Sequence, residues 1–290
     1  MRKTVILLLL FLILFTTGCS NQKNGPDIAA TTLPVYEFTA YLCQNTDLTV
    51  GRLVTESVSC LHDYSLQVSQ MRMIESADTV VVSGAGLEGF LEPALRNANA
   101  VIDAATDIPL QHAHNHGEHH DDHTHEIDPH IWLSPENAKI MAANICSGLT
   151  GKYPQYKEVF TENLVSLQKE LDALQTYGNQ QLSALSSREL ITFHDGFAYF
   201  AENYDLTILK AIEEESGREA SAKELKELII LTQQYQLPAI FIEKNGSVSA
   251  ADVISAEIGI KIYTLDMAMA GDSYFDAMYH NIDTVKEALG

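Results

Sequence analysis

Basic residues are scarce in this chain. Its 290 residues carry 18 Lys and Arg against 39 Asp and Glu, a formal net charge of −21. Phosphate backbones are gripped by clustered Lys and Arg, so the balance disfavours nucleic acid as a partner. It also disfavours broad contact with an anionic lipid surface. Long apolar runs are missing too. The longest, Val5 to Phe15, has eleven residues, well short of the roughly 20 that a membrane-crossing helix needs. Cysteine is limited to four residues, and neither an HExxH helix nor any other protease motif occurs. What remains is a globular composition, 46% hydrophobic and 20% charged. The acidity suits a soluble body that attracts cations, or serves solubility alone.

Arg2 and Lys3 precede the apolar run, and Thr17-Gly18-Cys19 follows it. This is the layout of an export signal. It resembles a bacterial lipoprotein signal covering residues 1–18, in which Cys19 becomes the lipidated first residue; Thr16 stands where the usual pattern has Leu. The alternative is an ordinary secreted protein cleaved nearby. Either way the mature protein is expected outside the cytoplasm, with residues 19–27 as a tether. Of the remaining cysteines, Cys43 and Cys60 are close enough in sequence to pair in an oxidising compartment. Cys146 lies in an amphipathic helix pattern and reads as a buried apolar residue.

Beyond the tether, short apolar strands alternate with helical patterns, which implies parallel βα units. Strands are expected at 28–32, 48–54, 79–83 and 100–103, then at 189–193, 206–212, 239–242 and 261–265. Ser134-Pro135-Glu136 and Ser221-Ala222-Lys223-Glu224 carry helix-start signals. Between the halves, apolar residues recur at Phe160, Leu164, Leu167, Leu171, Leu174, Leu182 and Leu185, with Gly178 interrupting the series. Thirty residues at about 1.5 Å each make a rod of roughly 45 Å. The expected architecture is α/β: an N-terminal lobe over 28–152, a linking helix over 153–187 and a C-terminal lobe over 188–290.

Histidine carries the chemistry. Seven of the eleven, His112, His114, His116, His119, His120, His123 and His125, fall in QHAHNHGEHHDDHTHE. This stretch, within 111–127, is too polar to pack and reads as a loop that collects metal; a solvated linker of biased composition is the alternative. Three more occur in ordered contexts: Leu61-His62-Asp63, Asp128-Pro129-His130 and Phe193-His194-Asp195. Ligands in open α/β lobes bind beyond the carboxyl ends of strands, where His194 is expected and where His62 occupies the analogous loop. Asp266, after the last strand, is the fourth candidate. Three imidazoles and one carboxylate suit tetrahedral Zn²⁺, whereas Mn²⁺ prefers more oxygen ligands. Asp63, Asp128 and Asp195 stand next to the histidines and can fix their tautomers. His280, on the terminal helix, reads as an ordinary hydrogen-bonded residue.

Five segments resemble a known family: the leader with Cys19, HDYSLQVSQMRMIESADTVVVSGAGLEGFL, DPHIWLSPENA, FHDGFAYFAENYDL and YTLDMAMAGDSYFDAMYHNI. They are similar to the zinc- and manganese-binding lipoproteins that act as substrate-binding subunits of bacterial ABC importers. The resemblance implies two lobes, each a parallel sheet flanked by helices, joined by one rigid helix. It maps the metal ligands onto His62, His130, His194 and Asp266. Manganese members usually have Glu at the position of His194; zinc members tend to have His there and a histidine-rich loop before the second ligand. Many zinc members have Pro where this chain has Met267, and water or another carboxylate is the alternative to Asp266. The function implied is capture of Zn²⁺ and delivery to an ABC permease by a monomeric protein that is not an enzyme and touches the membrane only through its lipid anchor. Competing readings are a manganese or iron binder of the same fold, and a zinc hydrolase with an open metal position.

Overall fold

The computed structural model describes residues 25–56, 61, 64–112, 127–211 and 221–290. The leader, Cys19, Cys60, His62, Asp63 and the histidines from His114 to His125 lie outside the described residues.

Two four-stranded sheets, all parallel, form the two lobes. The first contains β1 (Ile28–Ala30), β2 (Val50–Arg52), β3 (Thr79–Val82) and β4 (Val101–Asp103), in the order β2-β1-β3-β4. The second contains β5 (Glu189–Thr192), β6 (Thr207–Ala211), β7 (Ala239–Glu243) and β8 (Lys261–Leu265), in the order β6-β5-β7-β8. The second lobe therefore repeats the strand order of the first. In each, the connections run to opposite sides of the first strand, so the switch point lies between β1 and β3 in one lobe and between β5 and β7 in the other. Crevices at such points are where open α/β sheets bind ligands.

The inner strands β1, β3, β5 and β7 are buried on both faces, which explains their continuous apolar runs. Side chains alternate between faces with period two. Ile28, Ala30 and Val81 enter the large central core, while Ala29, Val80 and Val82 enter a smaller outer one. Ala239 and Phe241 likewise face the central core, and Ile240 and Ile242 an outer one in the second lobe.

The helices are α1 (Leu33–Leu42), α2 (Val68–Ser76), α3 (Glu92–Leu95), α4 (Pro135–Lys152), α5 (Lys157–Gln181), α6 (Ala198–Asn203), α7 (Ala222–Gln234), α8 (Ser249–Ile258) and α9 (Tyr274–Leu289). The expected caps form: Ser134 Oγ accepts from the Asn137 amide, and Ser221 and Glu224 make a reciprocal capping box. The long helix α5 is shorter than the 153–187 stretch expected. Its 25 residues span about 37 Å. A 3₁₀ turn, Pro154–Tyr156, precedes it. Its carboxyl end is closed at Leu182, whose carbonyl accepts from Arg188 Nη2 at 3.0 Å, while Ser183 Oγ turns back onto the Gln180 carbonyl at 2.8 Å. No helix among the described residues is long and apolar enough to cross a membrane.

Helix α5 touches both lobes. Tyr41 donates to Glu170 and Asn163 Nδ2 to the Leu42 carbonyl on one side; Tyr177 donates to Asp283 on the other. The gap in its apolar series at Gly178 has a steric cause. A Cβ there would stand 2.3–2.6 Å from the ring of Tyr204.

Cys43 is a free thiol packed in the central core; its expected partner Cys60 lies outside the described residues. Burial pushes the pKa of Cys43 up to about 12, which keeps it a neutral apolar side chain. Cys146 is likewise free and buried, as its helix pattern indicates.

Candidate metal centre

His130 and His194 come from different parts of the chain and meet. Their ring centroids are 5.3 Å apart with planes at 82°, and the residues are 3% and 2% exposed. Each has a local reason for its position. Asp128 accepts from the His130 backbone amide at 2.9 Å and from His130 Nδ1 at 2.7 Å. A carboxylate only accepts, so Nδ1 carries the proton and the lone pair of Nε2 is left available to a metal. The ring of Trp132 packs edge-on against His130 at 5.4 Å, and its indole donates to the Met267 carbonyl at 2.8 Å. His194 lies two residues beyond β5, at the switch point of its sheet.

The carboxylate at His194 Nδ1 is Glu243, the last residue of β7, with Oε2 at 3.5 Å. Adjacent Asp195 had been the expected partner. β7 runs beside β5 through the pair Thr192 and Phe241, which brings Glu243 level with the loop holding His194. Glu243 is 3% exposed. It was not singled out from the sequence; an acid closing the apolar run Ala239-Ile240-Phe241-Ile242 was the available signal.

Asp266 follows β8, whose Leu265 is paired with Glu243. Its Oδ1 accepts from the Ala268 amide at 2.9 Å, and its backbone is held by Asn281 at 2.7 Å in both directions. Its Oδ2 accepts from Lys244 Nζ at 2.9 Å. Gly196 is the close-approach point of the centre. A Cβ there would lie 2.7 Å from His194 Cδ2, 2.7 Å from Met267 Cε and 2.9 Å from His130 Nδ1.

The structure therefore brings together His130 and His194, with Asp266 at the end of β8, two strands across the sheet from β5. Among the described residues no group of three His, Cys, Asp or Glu is placed to hold a metal ion; His62 lies outside them. His112 pairs with Ile127 in an antiparallel bridge. The Asp128 amide donates to the Gln111 carbonyl, and Tyr199 accepts from the Gln111 amide and donates to the Asp128 carbonyl. The histidine-rich loop is thus closed at its base two residues before His130. His280 is exposed, 3.2 Å from the Thr264 carbonyl, and takes no part.

Two imidazoles, each with a carboxylate oxygen near its Nδ1 (2.7 Å for His130, 3.5 Å for His194), are donors suited to Zn²⁺. Comparison with known proteins agrees. A family described as "Zinc-uptake complex component A periplasmic" (ZnuA) matches residues 28–288. The chain is 30% identical over 312 aligned residues to the zinc-binding lipoprotein AdcA of Streptococcus pneumoniae, covering 99% of this chain and 61% of that protein. It therefore spans about three fifths of that relative's length. Among solved structures, one described as ZnuA superposes with a TM-score of 0.79 at 29% identity, covering 91% of this chain and 100% of the other. The Zn(II)-bound ZnuA-like domain of Streptococcus pneumoniae AdcA superposes at 0.75 with 28% identity, covering 92% and 99%.

Proposed function

The chain belongs to the family of periplasmic zinc-uptake complex components, and on that premise we propose that it captures Zn²⁺ between its lobes and delivers it to an ABC permease. Zinc is cargo here, and the protein performs no chemical step on it. His130, His194 and His62 supply imidazole nitrogens, and Asp266 the fourth donor. Asp128 holds the ring of His130 by its Nδ1 atom, which keeps Nε2 deprotonated and aimed, and the Glu243 carboxylate beside Nδ1 of His194 favours the same tautomer there. The histidine-rich loop collects ions and releases them beside His130. The protein works outside the cytoplasm, tethered through a lipidated Cys19.

The observation that carries this reading is the buried contact of His130 with His194, each with a carboxylate at Nδ1. Nitrogen donors at both positions favour zinc over manganese. Hydrogen bonds across the joint support a body that flexes little on release. The Leu33 amide donates to the Met269 carbonyl, Tyr274 Oη to the Trp132 carbonyl and Arg52 Nη1 to the Gly271 carbonyl. Calorimetric titration with zinc and with manganese tests the proposal. The parent chain should show one tight zinc site, absent from His130→Ala and His194→Ala. A tight site that survives both substitutions, or one that manganese fills equally well, overturns it.

A further inference from the structure

Lys244 is the residue the capture reading does not use, and it sits on a proposed ligand. It directly follows Glu243, and its amide donates to the Leu265 carbonyl at 2.7 Å, which fixes its backbone beside Asp266. Its Nζ is 2.9 Å from Asp266 Oδ2. The pair is lopsided: the Lys244 side chain is 58% exposed and that of Asp266 only 12%. Asp266 is held from behind by the Ala268 amide and Asn281, while Lys244 approaches on a flexible stem from solvent. Beside them is a cavity of about 20 Å³ lined by Lys244, Asn245, Asp266 and Met267, room for one water or a bare ion.

We propose that Lys244 is a tethered competitor for the metal: its ammonium neutralises Asp266 while the site is empty and leaves when zinc arrives. This rests on the capture reading and adds how the same site is regulated. The exchange balances without a proton transfer. One cation leaves the carboxylate for water and another takes its place, and the lysine stays charged throughout. The metal-free carboxylate is kept from being buried uncompensated, a costly state. The loaded site is weakened by the value of the lost ion pair, and the returning ammonium assists release. A carrier that must give up its cargo gains from both. Because Lys244 is largely exposed, the competition is modest.

The test is zinc affinity and chelator-driven release for the parent, Lys244→Gln, Lys244→Met, Lys244→Arg and Lys261→Gln. Lys261 opens the same strand that Asp266 follows, roughly 17 Å away at the strand rise, beyond the screening length of about 8–10 Å. Removing the charge at position 244 should tighten zinc by about three- to fivefold, the value of a partly exposed ion pair, and slow release to match. Lys244→Arg should keep the parental affinity, and Lys261→Gln should change nothing. Metal-free Lys244→Gln should melt slightly lower than metal-free parent, and the zinc-loaded forms should not differ in that direction. Lys244→Met keeps the stem and reports the same effect if the glutamine variant folds poorly. Unchanged or weaker zinc binding in both neutral variants overturns the competitor role while leaving capture intact. An equal gain in Lys261→Gln also overturns it, since net charge alone would then explain the effect. If the parent has no tight zinc site, the capture reading and the competitor role fall together.

Discussion

Gly196 shows how tightly the centre is built at the level of single residues. Its missing Cβ leaves space that His194, Met267 and His130 already fill to within 3 Å. Gly196→Ala must displace at least one imidazole, so zinc affinity should fall by roughly tenfold or more while the fold survives. Titration with circular dichroism as a control checks this, and unchanged affinity would mean that the rings have slack. Glu243 acts one step further out. Glu243→Gln removes the charge beside His194 Nδ1 and should weaken zinc by about 10–100-fold, the usual cost of losing a ligand's supporting carboxylate. His130 and His194 were legible in the sequence because each stands in a marked context, one between Asp128-Pro129 and an aromatic, the other just past an apolar strand. Glu243 and Lys244 were not legible. Their placement beside His194 and Asp266 comes from β7 lying next to β5 and β8, a neighbour relation that no local pattern contains.

At the scale of elements, alternation of apolar runs with capped helices announced all eight strands found among the described residues, and buried parallel strands carry that signal strongly. The linking helix is shorter than its apolar series, which continues through Leu182 and Leu185 although the helix ends at Gln181. The break at Gly178 was legible and its reason was not, since only packing reveals Tyr204 against it. Gly178→Ala gains up to about 1 kcal/mol of helix propensity. It also forces a buried ring to move, which costs about 1–3 kcal/mol. The net effect should be destabilising in urea unfolding. Glu88 joins two other elements, accepting from Thr31 Oγ1 after β1 and from the Ser83 and Gly84 amides after β3. Burial raises its pKa from 4.5 to about 7, more than these donors lower it, and Asp103 adds to the rise. The folded chain thus keeps a proton that the unfolded chain sheds. Its stabilising contribution is complete below the unfolded value and is lost as pH rises toward about 7. Metal-free Glu88→Gln should lose less stability than the parent over that window, measured by urea midpoints, and equal losses would remove Glu88 from the account.

For the whole molecule, zinc bound at the joint should stabilise both lobes together, because one central core runs from Ile28 through α5 to Leu289. A ligand present at about 100 times its Kd adds about 2.7 kcal/mol to the folded state. The melting temperature should therefore rise as a single transition, and the rise should fade toward acid as the imidazoles protonate. Two separate transitions would mean that the lobes melt independently. The histidine-rich segment leaves and rejoins this whole at one place. Its base is closed by the bridge between His112 and Ile127 and by the contacts of Gln111 with Asp128 and Tyr199. The clamp of Asp128 on His130 depends on none of the residues between them. Replacing residues 113–126 with a short Asn-Gly turn, which suits two antiparallel neighbours, should lower the number of zinc ions bound and leave the tightest site in place. Equilibrium dialysis gives the stoichiometry, and competition with a chelator gives the affinity of the site that remains. Loss of that site on deletion would place a ligand inside the loop, and the four-residue shell built on His62, His130, His194 and Asp266 would have to be redrawn.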